Sequence, residues 1–300
     1  MNILVLGSKG FIGSHCVHFF AQKHQVWECD VVMDYANERY IWVDATDPDF
    51  GGVFSSTPFD ICINCSGAAS VPDSFKNPQR DFLLNSVNVF KALEAIRQHA
   101  PSCRFLNLSS AAVYGNPETL PVRETQRLQP LSPYGYHKKL AEDISRQFHD
   151  LFRLRTCNIR IFSAYGPGLK KQLFWDLFQK ISHAKGSVEM FGTGRESRDF
   201  IYVGDLVRAI DLVIAHAPFE GESINAGGGR QELIADVAAL FCKAFGWDGD
   251  IRFTGDRRGG DPLIWEADIS TIASYGYKQG VSLEQGFNYY KQWIEDSKLG

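Results

Sequence analysis

Short apolar runs alternate with amphipathic stretches through the first half of the chain. Ile3-Leu4-Val5-Leu6 is continuously apolar and too short for a helix, so it predicts a buried strand over 2–6. Comparable runs predict strands over 26–30, 41–43, 61–65, 103–108 and 156–161. Between them, Phe11 to Lys23, Pro78 to His99 and Pro133 to Phe152 carry helix-length patterns. Ser132 as N-cap and Pro133 at the first helical position open the last of these. Strands and helices taking turns predict an α/β fold, a doubly wound parallel sheet covered on both faces. After about residue 167 the regularity weakens, and Gly and Pro gather at 191–194, 227–229 and 255–262. Phe200 to Ala217 is an exception, with the pattern of one more strand and helix of the main sheet.

Composition narrows the partners. With 31 basic against 35 acidic residues the chain has no broad electrostatic pull toward nucleic acid or an anionic membrane. No window approaches the roughly 18 consecutive apolar residues of a spanning helix, and the first apolar run ends at Gly7, too early for a signal peptide. A cytoplasmic protein is expected. Seven scattered cysteines favour reduced thiols over a disulfide framework. The CxxC of Cys62 and Cys65 falls on a strand, where its two thiols face opposite sides of the sheet; core packing is preferred over redox or metal duty. His15 and His18 lack a carboxylate to complete a metal set, and no metal is expected.

The first strand runs into Gly7-Ser-Lys-Gly10-Phe11-Ile12-Gly13, a GxxGxxG where a strand turns into a helix. Glycines there permit a tight turn and let backbone N–H groups and the helix N-terminus approach a pyrophosphate. Asp30 follows at about the distance expected for a carboxylate that accepts hydrogen bonds from a ribose 2′-hydroxyl. Val31, Val32 and Met33 after it bring no cation for a 2′-phosphate, so NAD is preferred over NADP. A loop cap is the blander role for Asp30. The expected organisation is a Rossmann-type NAD-binding domain over 1–167, to which 198–226 returns. Residues 168–197 and 227–300 are expected to form a smaller substrate-binding lobe.

Tyr134 and Lys138 stand four residues apart on one helix face. An ammonium near a phenol lowers its pKa, and such a phenol takes a proton from an alcohol while hydride leaves the same carbon. Ser109 and Ser110 end a buried strand at the edge where ligands bind in open parallel sheets, which lets Ser110 orient the same oxygen. Satisfying loop backbone is the alternative role for these serines. The triplet Gly227-Gly-Gly229 lacks a strand-to-helix setting and is assigned no chemistry.

These residues resemble the extended short-chain dehydrogenase/reductases, in the NAD-dependent epimerase/dehydratase branch that modifies nucleotide sugars, with a likeness to UDP-glucose 4-epimerase-like proteins. The resemblance extends over nearly the whole chain through Ser109-Ser110-Ala-Ala-Val-Tyr114-Gly, the Asn85 of Asn-Ser-Val-Asn-Val-Phe, Tyr165-Gly-Pro-Gly, Arg198-Asp-Phe-Ile-Tyr-Val and Arg258-Gly-Gly-Asp261. It implies a Ser110, Tyr134, Lys138 triad with Tyr134 as acid/base and Lys138 also on the nicotinamide ribose. Asn85 would lie near that ribose and Asp44 near the adenine. Arg198 and Arg258 would grip the diphosphate of a nucleotide sugar, and Ser163, where family members commonly have Asn, would contact the sugar. A homodimer through 78–99 and 133–152 is implied by the family alone.

Family members that dehydrate sugars carry an Asp-Glu pair after the Ser or Thr, and decarboxylating members keep the Glu. Ala111 and Ala112 stand here and transfer no protons. The expectation is therefore a nucleotide-sugar epimerase, a 4-epimerase of an NDP-hexose working by transient oxidation with bound NAD and a 4-keto intermediate. Two alternatives stay open: an NAD(P)H-dependent NDP-4-keto-6-deoxyhexose reductase, and a non-catalytic dinucleotide-binding regulator. The stretch from Asp30 to Asp44 is short and omits a helix that longer epimerases carry.

Overall fold

A computed structural model of the protein describes residues 1–256 and 259–298. Seven parallel strands form the central sheet: β1 (Asn2–Leu6), β2 (Gln25–Asp30), β3 (Tyr40–Trp42), β4 (Ile61–Asn64), β5 (Arg104–Ser110), β6 (Thr156–Ile161) and β11 (Glu220–Ala226). Their order is β11-β6-β5-β4-β1-β2-β3, the doubly wound arrangement with its switch point between β1 and β4. Successive side chains of a strand face opposite ways. Ile3, Val5, Ile61, Ile63, Leu106 and Leu108 accordingly join one core, beneath α1 (Phe11–Phe20) and α8 (Val203–His216). Leu4, Leu6, Cys62 and Phe105 join another, beneath α2 (Phe50–Ser56), α5 (Asn88–His99) and α6 (Pro133–Phe152). Cys62 and Cys65 pack against these opposite cores, and all seven cysteines are free.

Three outcomes differ from the sequence pattern. The run from Phe200 splits: β10 (Phe200–Tyr202) pairs with β7 (Ser163–Tyr165) outside the main sheet, and the strand that returns is β11. Pro78 to His99 is one rod in three parts, α4 (Pro78–Phe82), a π-helical turn (Leu83–Val87) and α5, preceded by a separate α3 (Val71–Lys76). The lobe after residue 167 is more regular than its glycines suggest. It contains α7 (Gln172–His183), α9 (Ile234–Ala244) and α11 (Leu283–Asp296), whereas α10 (Ser270–Ser274) packs back on β11 and α8 and sends Ile272 into the core of the main sheet. Two further ladders complete the lobe, β8 (Ser187–Met190) with β13 (Asp250–Phe253) and β9 (Ser197–Arg198) with β12 (Glu232–Leu233). Its core is aromatic: Phe174, Phe241 and Phe287 stack within 5.3 Å of one another. Aromatic spacing without period 2 or 3.6 conceals such elements from a pattern search.

Among the described residues, no helix is long and apolar enough to cross a membrane. The loop from β2 to β3 carries no helix, in keeping with its short length.

Candidate active site

The strands are parallel, so β1, β4, β5 and β6 all open onto one edge. At β1 the chain turns through Gly7, at φ 74°, into α1. A methyl group at Gly7 would lie 2.8 Å from the Ser66 backbone, and one at Gly13 would lie 2.1 Å from the Gly7 carbonyl oxygen. Only hydrogen fits at either position. Gly10, the N-cap of α1, offers no side-chain cap, so the helix N-terminus remains open to an anion. Phe11 and Ile12 begin the helix behind it.

Asp30 ends β2 beside this turn. Its Oδ2 accepts from the Lys9 N–H at 2.9 Å, and its Oδ1 from the Val31 N–H at 2.7 Å, tying the glycine loop to the strand end. The absence of a cation after Asp30 is true of the sequence neighbours alone. Lys9 reaches this region from the glycine loop, its ammonium 2.6 Å from Asp34 and 3.0 Å from Glu28. The hydrogen bond to Asp34 raises the Lys9 pKa and lowers that of Asp34. With Asp30 added, the local balance is three carboxylates to one cation. Asp44 follows β3, and its Oδ1 accepts from the Thr46 N–H at 2.7 Å; the Thr46 side chain and backbone pull its pKa down.

Asn85 sits within the π-helical turn, 1% exposed, and neither its amide nitrogen nor its oxygen has a hydrogen-bond partner. The Ser8 hydroxyl, beside Gly7, is in the same condition. Buried polar groups are rarely left so. π-Turns recur at functional sites. The open helix end, the glycine cradle and these unpartnered atoms fit a dinucleotide lying along the crevice.

The reactive groups come from β5 and α6. Ser132 caps α6 as the sequence predicts, its Oγ accepting from the Gly135 N–H at 3.2 Å with Pro133 at the first position. Gly135 brings the helix end against the turn after Ser110, since a methyl there would lie 2.6 Å from Ala112 O. Tyr134 and Ser110 are thereby brought together: the Ser110 hydroxyl accepts from the Ala112 N–H at 3.2 Å and draws the phenol pKa down. Lys138, 6% exposed, donates to Leu108 O at 2.8 Å, with its nitrogen 6.0 Å from the Tyr134 ring centre. One expectation is corrected here. Burial pushes the Tyr134 phenol up to about 12, against the pull of Ser110, and the ammonium does not lower it. The same low-dielectric surroundings bring Lys138 down to about 8.

Beneath the triad, Glu142 grips Arg160 with contacts of 2.7 to 3.1 Å, and Arg160 also reaches Tyr114 Oη and Glu124 O, each at 2.8 Å. This buried pair joins α6 to β6. On the substrate side, Ser163 begins β7 and is half-buried. Arg198 lies over the Trp265 ring at 5.6 Å, and burial lowers its pKa. Asp199 beside it accepts from the backbone N–H groups of Gly228, Gly229, Arg230 and Ala267, which gives the glycine triplet a structural role. Arg258 lies outside the described residues. His15 bonds Pro167 O at 2.8 Å, and among the described residues no cluster of three or more His, Cys, Asp or Glu side chains gathers to hold a metal.

Sequence reading missed Lys9 and the Glu142–Arg160 pair. A helical count would have placed Glu142 one turn beyond Lys138 on the Tyr134 face. Nothing local marks Lys9, whose partners come from β2 and the loop beyond it.

Fold and site together define a Rossmann-type dinucleotide-binding protein with a serine, a tyrosine and a lysine at the sheet's C-terminal edge. The pattern of the NAD dependent epimerase/dehydratase family matches residues 3–227, and the chain belongs to that family. It is 25% identical to a UDP-glucose 4-epimerase of Pisum sativum, covering 100% of this chain and 97% of that one. It is 29% identical to a GDP-6-deoxy-D-mannose reductase of Pseudomonas aeruginosa, covering 80% and 81%. Among solved structures, the UDP-glucuronic acid 4-epimerase of Bacillus cereus in complex with UDP-glucuronic acid and NAD superposes with a TM-score of 0.89. The identity is 26%, covering 99% of this chain and 100% of that one.

Proposed function

We propose that this protein is a nucleoside-diphosphate-hexose 4-epimerase that keeps its NAD through the cycle. The observation that carries the reading is the convergence of Ser110 at the end of β5 with Tyr134 and, one turn behind it, Lys138, whose ammonium lies 6.0 Å from the Tyr134 ring centre. Bound NAD supplies an acceptor for hydride from a sugar carbon and returns it. Gly7, Gly10, Gly13, Phe11 and Ile12 hold its pyrophosphate end, Asp30 and Asp44 its adenosine end, and Asn85 its nicotinamide ribose. Three carboxylates around Lys9 disfavour a 2′-phosphate, which supports NAD over NADP.

Tyr134 takes the sugar hydroxyl proton and later returns it, while Ser110 holds the reacting oxygen. Lys138 keeps positive charge beside the phenol and binds the ribose. A phenol near 12 is a poor base, and a cationic nicotinamide ring held beside it would favour the phenolate and bring its pKa toward neutrality. Arg198 and Arg258 grip the diphosphate, and Ser163 faces the sugar. Ala111 and Ala112 form the turn after Ser110 and bring no further acid or base, which argues against dehydration. A homodimer through α4–α5 and α6 is supported by exposed Phe82, Leu83, Phe90, Tyr136 and Leu140 on those helices.

The P. aeruginosa relative keeps a ketoreductase as the second reading. Released dinucleotide is identified after denaturation, and native protein is incubated with UDP-, GDP-, CDP- and dTDP-hexoses without added cofactor. Stereoisomers are expected. Turnover of 4-keto sugars alone, with stoichiometric NADH or NADPH oxidation, would replace the epimerase by the reductase.

A further inference from the structure

Beside the triad, a buried acid and a partly buried imidazole form a pair with no role in the chemistry above. Asp81, on α4, is 3% exposed, and its Oδ2 lies 2.6 Å from His137 Nδ1. Its other oxygen, Oδ1, has no hydrogen-bond partner. A buried carboxylate oxygen left bare is unfavourable unless a cation lies within reach of its field. His137 immediately precedes Lys138 and stands three residues after Tyr134, so the pair is anchored on the turn of α6 that carries both reactive groups. The α4 segment presenting Asp81 runs directly into the π-helical turn of Asn85.

We propose that Asp81 is a positioning residue that holds Lys138 in its charged, donating form, with His137 fixing the direction of the carboxylate. The kinetic consequence rests on the epimerase reading; the charge coupling does not. Burial lowers Lys138 to about 8, and Asp81 is the largest influence opposing that fall, ahead of Cys65 at the end of β4 and Glu142 on α6. Glu142 is already engaged by Arg160. The carboxylate also raises Tyr134, so its field reaches both groups. Of the other titratable side chains on the packed elements, Arg80 on α4 and Asp73 and Lys76 on α3 are exposed to solvent, as is Tyr136 on α6, and Lys139 on α6 is paired with Asp143.

The test is a lysine titration on folded protein by NMR with ¹³Cε-lysine labelling, the Lys138 resonance being assigned by its loss in K138M. In D81N its midpoint should fall by roughly one pH unit or more, as expected for losing a unit charge within about 12 Å at an effective dielectric of about 20. D81E and H137Q, which keep the charge, should leave the midpoint closer to that of the wild type. An unmoved midpoint in folded D81N would overturn the proposal. Should D81N not fold, the wild-type protein carries the test: the Asp81 carboxyl carbon must show an inflection at the Lys138 midpoint, and its absence overturns the proposal equally. The alkaline limb of the kcat/KM profile should move down with the NMR midpoint in D81N. A shifted NMR midpoint in a protein that turns over no sugar nucleotide leaves the coupling standing and removes the epimerase reading instead.

Discussion

Replacing Lys138 by methionine should make the dinucleotide-free protein more stable while destroying its activity. The ammonium is 6% exposed, and its pKa falls from 10.5 to about 8. At 1.36 kcal/mol per unit, that drop is an unfavourable contribution of about 3 kcal/mol while both states are protonated. Methionine removes it but leaves Leu108 O without its donor, a loss of about 1 kcal/mol. A net gain of about 2 kcal/mol is expected at pH 7, a rise in Tm of a few degrees for a chain of this size. The pH dependence follows from the sign of the shift. Below about 8 folded and unfolded lysines are both charged and the full penalty stands. Between about 8 and 10.5 the folded state has lost its proton and the unfolded state has not, so wild-type stability climbs toward that of K138M. Urea unfolding of both proteins at pH 7 and at several values up to 10.5 measures the gap. A variant less stable than wild type at pH 7, or a gap that does not narrow with pH, would refute the reasoning.

Three further substitutions probe separate parts of the site. G13A places a methyl 2.1 Å from the Gly7 carbonyl oxygen, and the purified variant should release no dinucleotide on denaturation. Y134F keeps the packing of a buried ring and removes the proton carrier, so turnover should fall about 10²–10⁴-fold with dinucleotide still bound; unchanged turnover would exclude Tyr134 as acid/base. E142Q leaves the buried Arg160 cation without its carboxylate and should destabilise by about 3–5 kcal/mol in chemical denaturation.

Much of the dinucleotide half was legible because its signals are local. Apolar runs, a glycine loop and a Ser-Pro helix start each occupy a few adjacent positions, and β1, β4 and α6 follow from them within a residue, α1 within three. Interactions between distant segments were not legible. Lys9 meets Glu28 and Asp34 because β2 is parallel to β1, a pairing that leaves no mark in the sequence around any of the three. The direction of the Tyr134 shift was missed for a related reason: helical spacing shows that two groups share a face, but solvent exclusion, set by the whole lobe, decides the sign. The aromatic lobe was hidden because Phe174, Phe241 and Phe287 come from three helices far apart in the chain.

The π-helical turn at Leu83–Val87 makes the length of the helical rod matter in a way that ordinary surface loops do not share. Excising one residue there to restore regular winding would rotate one arm against the other by about 100°. Asn85 would swing off the crevice, or else Asp81 would leave His137. A library of single-codon deletions should therefore show greater intolerance at these five positions than in exposed surface loops.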